Sequence, residues 1–148
     1  MLRFGFNRLA LVTAITGFAA VSLGAQPSAQ PSAQDDKTAR GKYLAEEVAK
    51  CQDCHTPKME SGNFIKSQWM KGAAIAVIPA APVPGWRPAA PDITPAGALW
   101  KRWGDDGMVS FLETGKSPRG GKAGLPMPLY NLKREDAEAI VAFLKSLQ

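Results

Sequence analysis

Three side chains constrain this chain more than any other feature: Cys51, Cys54 and His55, in the run Cys51-Gln52-Asp53-Cys54-His55. They are the only two cysteines and the only histidine in 148 residues. Two thiols three positions apart, followed at once by an imidazole, form the spacing that attaches a c-type haem. Each thiol can add to one of the two vinyl groups on one side of the porphyrin, so the thiols must share a face about one helical turn apart. The adjacent imidazole then falls over the iron. Cys51 and Cys54 are thus expected as thioether anchors and His55 as the proximal ligand through Nε2. Its Nδ1–H needs an acceptor that fixes the ring and raises its basicity.

The same letters have plainer readings: half of a zinc site, a redox dithiol beside an incidental histidine, or an ordinary disulfide. A structural zinc ion draws four protein ligands, mostly Cys and His, and this chain has three such residues in all. A thioredoxin-like oxidoreductase carries its Cys-x-x-Cys on a helix that follows a strand, and no alternating α/β pattern is visible. An exported thiol-disulfide oxidoreductase stays open as the alternative without haem.

The length is that of one domain, and 12 prolines with 14 glycines cut it into short segments unsuited to long sheets. A small, loop-rich domain gains core from a large apolar cofactor at its centre. Residues 1–25 read as an export signal. Arg3 and Arg8 precede an apolar stretch, and small residues lie around Ser22 and Ala25. A retained membrane anchor is the alternative, although the apolar run is short for a span. Arg3 and Arg8 are the only charged residues of that segment, so without it the formal charge falls from +5 to +3. No dense basic cluster points to nucleic acid. The repetitive QPSAQPSAQDD text places a disordered linker at 26–37, which leaves 38–148 as the folded domain.

Helical periodicity recurs in three places. In residues 38–50, Thr38 can cap a helix on which Tyr43, Leu44, Val48 and Cys51 share a stripe, delivering both cysteines to the haem edge. Gly41 weakens that helix relative to Ala and so marks a close helix crossing. In residues 99–114, Asp105 or Asp106 can cap a segment bearing Met108, Val109, Phe111 and Leu112, ended by Gly115, while Trp100 and Trp103 cover the core. In residues 133–147, Ile140, Phe143, Leu144 and Leu147 form an i, i+3, i+4, i+7 stripe that Asn131 can cap. Residues 57–99 are irregular, with Trp69 and Met70 read as wall residues and an apolar run at 73–78 as one short strand.

Met127 is flanked by Pro126 and Pro128, so its backbone is held extended and its thioether can be aimed at one point. A thioether binds haem iron and raises its reduction potential. One histidine excludes bis-His ligation within a monomer, leaving Met, Lys or an open position. Met1 lies in the leader, and Met59, Met70 and Met108 lack a presenting loop, so Met127 is the expected sixth ligand. A vacant or lysine-bound position would suit haem-based ligand binding or a haem enzyme instead.

Several stretches carry a family resemblance. They are Gly41-Lys42-Tyr43-Leu44 ahead of the haem motif, Thr56 directly after it, Pro91-Asp92-Ile93-Thr94-Pro95, the run from Asp105 to Gly115, and Gly124-Leu125-Pro126-Met127-Pro128 before a final helix. Together they resemble class I c-type cytochromes, especially the monohaem domains that serve bacterial dehydrogenases, over residues 38–148. The resemblance implies an all-α, cytochrome c-like fold, a small helical domain whose long loops wrap one covalent haem c. It implies that Gly41 packs against Phe143, and that a proline carbonyl, Pro88 or Pro91, accepts the His55 N–H. It also implies that Trp86 and Arg87 hydrogen-bond a haem propionate; the plainer reading is a surface Arg beside a half-buried Trp. Asp92 stands where the family usually has Asn. By function the resemblance implies an electron carrier rather than an enzyme. Such a carrier, in the periplasm, takes single electrons from a dehydrogenase and delivers them to a respiratory acceptor, touching the membrane only if residues 1–25 are retained.

Overall fold

The computed structural model describes Met1 and residues 32–147. The expected export segment, Met1 apart, and the linker as far as residue 31 therefore lie outside the described residues. Helix α1 spans Ala33–Tyr43. Ser32 Oγ accepts the Asp35 N–H at 3.2 Å, and the Asp35 carboxylate accepts the Ser32 N–H at 3.1 Å, a reciprocal cap that fixes the helix start. This corrects the expected boundary. The helix begins ahead of Thr38, and residues 33–37, assigned to the linker, are helical. Lys37 donates to Glu138 at 2.9 Å and Arg40 to Asp136 at 3.0 Å, so the early turns are oriented against the last helix.

The helix expected to run unbroken to Lys50 does not do so. It widens into a π-helical turn over Leu44–Val48 and stops at Lys50, whose φ of 52° is left-handed. The wide turn changes the helical phase. Tyr43 and Val48, expected on the apolar stripe, are 55% and 60% exposed, and the buried face is Gly41, Leu44 and Ala45. Helix α2, Cys51–His55, then starts as a separate element.

A two-residue ribbon follows: β1 (Ala73–Ala74) pairs antiparallel with β2 (Ala89–Ala90), Ala73 opposite Ala90. Helix α3 spans Ala98–Thr114 and is interrupted at Gly104, whose φ of 63° breaks the helical path. The Asp105 carboxylate, expected as a cap, accepts the Trp100 indole N–H at 3.0 Å and Lys145 at 2.6 Å. Gly115 ends α3 in the left-handed region, as its position implied.

Helix α4, Arg134–Ser146, buries Ala137, Ala139, Ile140, Val141, Phe143 and Leu144. Asn131, expected as its cap, lies before it with φ 49°, and Lys133 occupies the cap position without a side-chain bond. A Cβ on Gly41 would collide with the Ala139 carbonyl, so α1 and α4 touch backbone to backbone. The resemblance pointed to Phe143 as the partner. The atoms nearest a Cβ at Gly41 belong instead to the backbone of Ala139 and Ile140, with Phe143 one turn further along in the same core. Leu44, Trp100, Met108, Leu112, Ile140 and Leu144 complete a helical core, and long loops close over one side of it.

Candidate functional site

The left-handed turn at Lys50 starts α2, and the i, i+3 spacing within α2 puts Cys51 and Cys54 on one face. Both thiols are free, Cys51 buried and Cys54 half-buried. His55 closes the helix and is 5% exposed. Its Nδ1 lies 2.7 Å from the Pro91 carbonyl. A carbonyl only accepts, so Nδ1 carries the hydrogen and Nε2 is left with its lone pair. The acceptor is thus Pro91 and not Pro88. Burial pushes the His55 pKa below its ordinary value, with the Pro91 carbonyl and the Asp92 carboxylate acting the other way, so the ring is neutral at neutral pH.

The backbone around this histidine is tied on both sides. Gly72 N–H donates to the His55 carbonyl at 2.8 Å, Met70 N–H to Thr56 Oγ1 at 2.9 Å, and Ile93 N–H to the Met70 carbonyl at 3.0 Å. Met70, fully buried with φ 59°, therefore links the α2 exit to the Pro91 segment from within the core.

One cavity of about 440 Å³ is lined by Cys51, Cys54, His55 and Met127 together. Its walls are mainly apolar, including Ile75, Ile93, Trp103, Phe111, Ile140 and Leu144. The Met127 N–H donates to the Gly124 carbonyl at 3.1 Å, and the Arg87 N–H donates to the Leu125 carbonyl at 2.6 Å, so the 85–88 segment braces the methionine loop. Three residues beyond Met127, the Tyr130 hydroxyl donates to the Ala49 carbonyl at 2.8 Å, joining that loop to the turn before α2.

Of the expected site residues, Cys51, Cys54, His55, Met127 and Arg87 line the cavity. Trp86 does not; it is half-buried, and its backbone bridges to Leu125 instead. Of the pair expected at a propionate, only Arg87 therefore belongs to the cavity lining. Arg102 and Lys122 also line the cavity and were missed. Nothing in their local sequence separates them from surface cations; only the chain path brings them to the rim.

The residues present fit a haem. The cavity volume is within the usual range of roughly 300–1,000 Å³ for cofactor sites. It offers two free thiols at helical spacing, a neutral imidazole with a fixed tautomer, and a thioether. The charged lining residues are Arg87, Arg102 and Lys122, which suit anionic propionates. Burial pushes the Cys51 thiol up to about 11, whereas a redox dithiol needs a nucleophile with a lowered pKa. Among the described residues no three His, Cys, Asp or Glu side chains are grouped to hold a metal ion.

Comparison with known proteins places these features in a family. A cytochrome c family model matches residues 38–148. The chain is 36% identical over 111 residues to a diheme cytochrome c-type protein of Cereibacter sphaeroides, covering 72% of this chain and 34% of that protein. It is 34% identical over 125 residues to the fructose dehydrogenase cytochrome subunit of Gluconobacter japonicus, covering 76% and 22% respectively. It is 30% identical over 130 residues to the gluconate 2-dehydrogenase cytochrome c subunit of Pantoea cypripedii, covering 80% and 28%. The chain thus spans at most about a third of the length of these relatives.

Proposed function

The chain belongs to the cytochrome c family, whose chemistry is haem-based electron transfer, and from that premise we propose a periplasmic carrier with one haem c that takes electrons from a dehydrogenase and passes them to a respiratory acceptor. It works as an electron carrier and not as an enzyme, like the cytochrome subunits of dehydrogenases to which it is similar. The haem, when bound, supplies a one-electron couple.

The chain's own residues do the rest. Cys51 and Cys54 hold the group covalently, and His55 presents Nε2 while Pro91 keeps its other nitrogen protonated and its ring fixed. Met127 would offer its thioether to the haem iron from a loop braced at Arg87 and Tyr130. Held by both His55 and Met127, the iron would be closed to substrates and would supply electron transfer alone. Arg87, Arg102 and Lys122 neutralise the propionates at the rim. Residues 1–25 direct export, and among the described residues no helix is long and apolar enough to cross a membrane.

The observation that carries this reading is that residue 127, far along the sequence from residues 51, 54 and 55, lines one apolar cavity with them. Stopped-flow mixing of the purified holoprotein with a substrate-reduced bacterial dehydrogenase tests it. Reduction of the haem with saturable dependence on dehydrogenase concentration is the expected result. A holoprotein that no dehydrogenase of the relatives' classes reduces contradicts the proposed donor, and loss of the covalent pigment on replacing Cys51 and Cys54 by Ala tests the attachment.

A further inference from the structure

The Pro91 carbonyl that holds the His55 ring is followed directly by Asp92, and the two are fixed as a unit. Asp92 Oδ1 accepts the Thr94 N–H and the Thr94 hydroxyl, each at 2.7 Å. Thr94 is itself 1% exposed, so this anchor does not move with solvent. On the other side Gly97 packs close: a Cβ there would come within 2.6 Å of the Asp92 carbonyl and 2.9 Å of its carboxyl carbon. The carboxylate is thereby pinned beside the peptide that accepts the ring N–H. Among the described residues no lysine or arginine is paired with it.

A fixed negative charge at this place has two effects of the same sign. It stabilises by direct attraction the oxidised site, which carries one more positive charge than the reduced site. It also makes the Pro91 carbonyl a better acceptor for Nδ1–H, which makes the imidazole a stronger donor to the iron. We propose that Asp92 is a positioning residue that lowers the reduction potential of this site, acting through the Pro91–His55 contact. The inference rests on the haem reading above and adds to it a determinant of the potential outside the ligand set.

Asparagine has the same shape, and its side-chain oxygen can accept both Thr94 bonds, so Asp92→Asn removes the charge and keeps the turn. The midpoint potential of the holoprotein is measured by spectroelectrochemical titration at low and high salt. Poised at the wild-type midpoint in low salt, the Asp92→Asn protein should show a reduced-to-oxidised ratio about threefold higher, and the difference should narrow in high salt because Asp92 is partly exposed. Should that variant not accumulate as pigmented protein, Asp92→Ser, whose hydroxyl oxygen can accept the Thr94 N–H, carries the same expectation. An unmoved midpoint in low salt, or one shifted the other way, overturns the role given to Asp92. A wild-type protein with no covalent pigment or no redox couple overturns the haem reading instead, so the two failures are distinct.

Discussion

Replacing Tyr130 by Phe removes one hydrogen bond and keeps the ring. That bond, 2.8 Å from the hydroxyl to the Ala49 carbonyl, links residues 81 apart in sequence. One end follows the Met127 loop by three residues, and the other precedes Cys51 by two. A neutral, part-buried bond of this kind contributes about 1 kcal/mol net, equivalent to about a fivefold change in an equilibrium constant. If opening of the methionine loop breaks it, Tyr130→Phe should make opening about fivefold more frequent. With Met127 as the proposed second ligand, added imidazole would bind the ferric iron only once Met127 has left, so its apparent affinity would scale with the open fraction. The expected outcome is apparent imidazole binding about fivefold tighter in Tyr130→Phe, with global stability lowered by no more than about 1 kcal/mol. Unchanged imidazole affinity would refute the clamp.

The same residue gives a pH signature. Burial first, and then the neighbouring Cys51 and Cys54 thiols, push the Tyr130 hydroxyl up to about 12. Conversion of the thiols to thioethers removes their charge and leaves burial as the cause. The folded pKa lies above the unfolded value of about 10, so the unfolded chain loses its proton first as pH rises. The contribution is therefore complete below about pH 10 and is lost as pH rises from there towards about 12. Wild-type stability should fall across that window, and Tyr130→Phe should lack this part of the slope.

Two further predictions concern the scaffold. In Gly41→Ala the new methyl meets the Ala139 carbonyl, which cannot rotate aside, so α1 must lift from α4. The gain in helix propensity, about 1 kcal/mol, is outweighed by overpacking against backbone, and guanidinium unfolding should show a net loss of about 2 kcal/mol or more. A variant as stable as wild type contradicts the contact. Thr56→Val keeps the shape of a buried side chain but leaves the Met70 N–H without its acceptor, and should cost about 1–3 kcal/mol in the same assay. A loss under about 0.5 kcal/mol would mean that Thr56 does not hold the His55 segment.

The residues that share the cavity, Cys51, Cys54, His55 and Met127, were the most legible part of the sequence, because they stand out by residue type and short spacing. Cys51, Cys54 and His55 are the chain's only cysteines and its only histidine, and two prolines mark Met127. The last helix was legible within one residue at each end, since its apolar stripe is regular and its core contacts obey that stripe. The first helix was not. Its start depends on a Ser32–Asp35 cap inside text that reads as low-complexity, and its end depends on a π-turn that leaves no periodic signal. The cavity rim was the least legible. Arg102 and Lys122 reach it through the paths of α3 and the 115–124 loop, and of the neighbours Trp86 and Arg87 only Arg87 lines it. A substitution as small as Asp92 for Asn changes charge and not shape, so its meaning depended on finding which proline held His55.

The most direct test of the central claim is the absorption spectrum of the purified, oxidised protein beside that of Met127→Ala. A covalent low-spin haem with a thioether-to-iron band at the red end of the wild-type spectrum, absent from Met127→Ala, is the predicted result. A wild-type protein that is high-spin, or a red band that survives the substitution, would contradict the His55/Met127 site; a wild-type protein without covalent pigment would contradict haem attachment at Cys51 and Cys54.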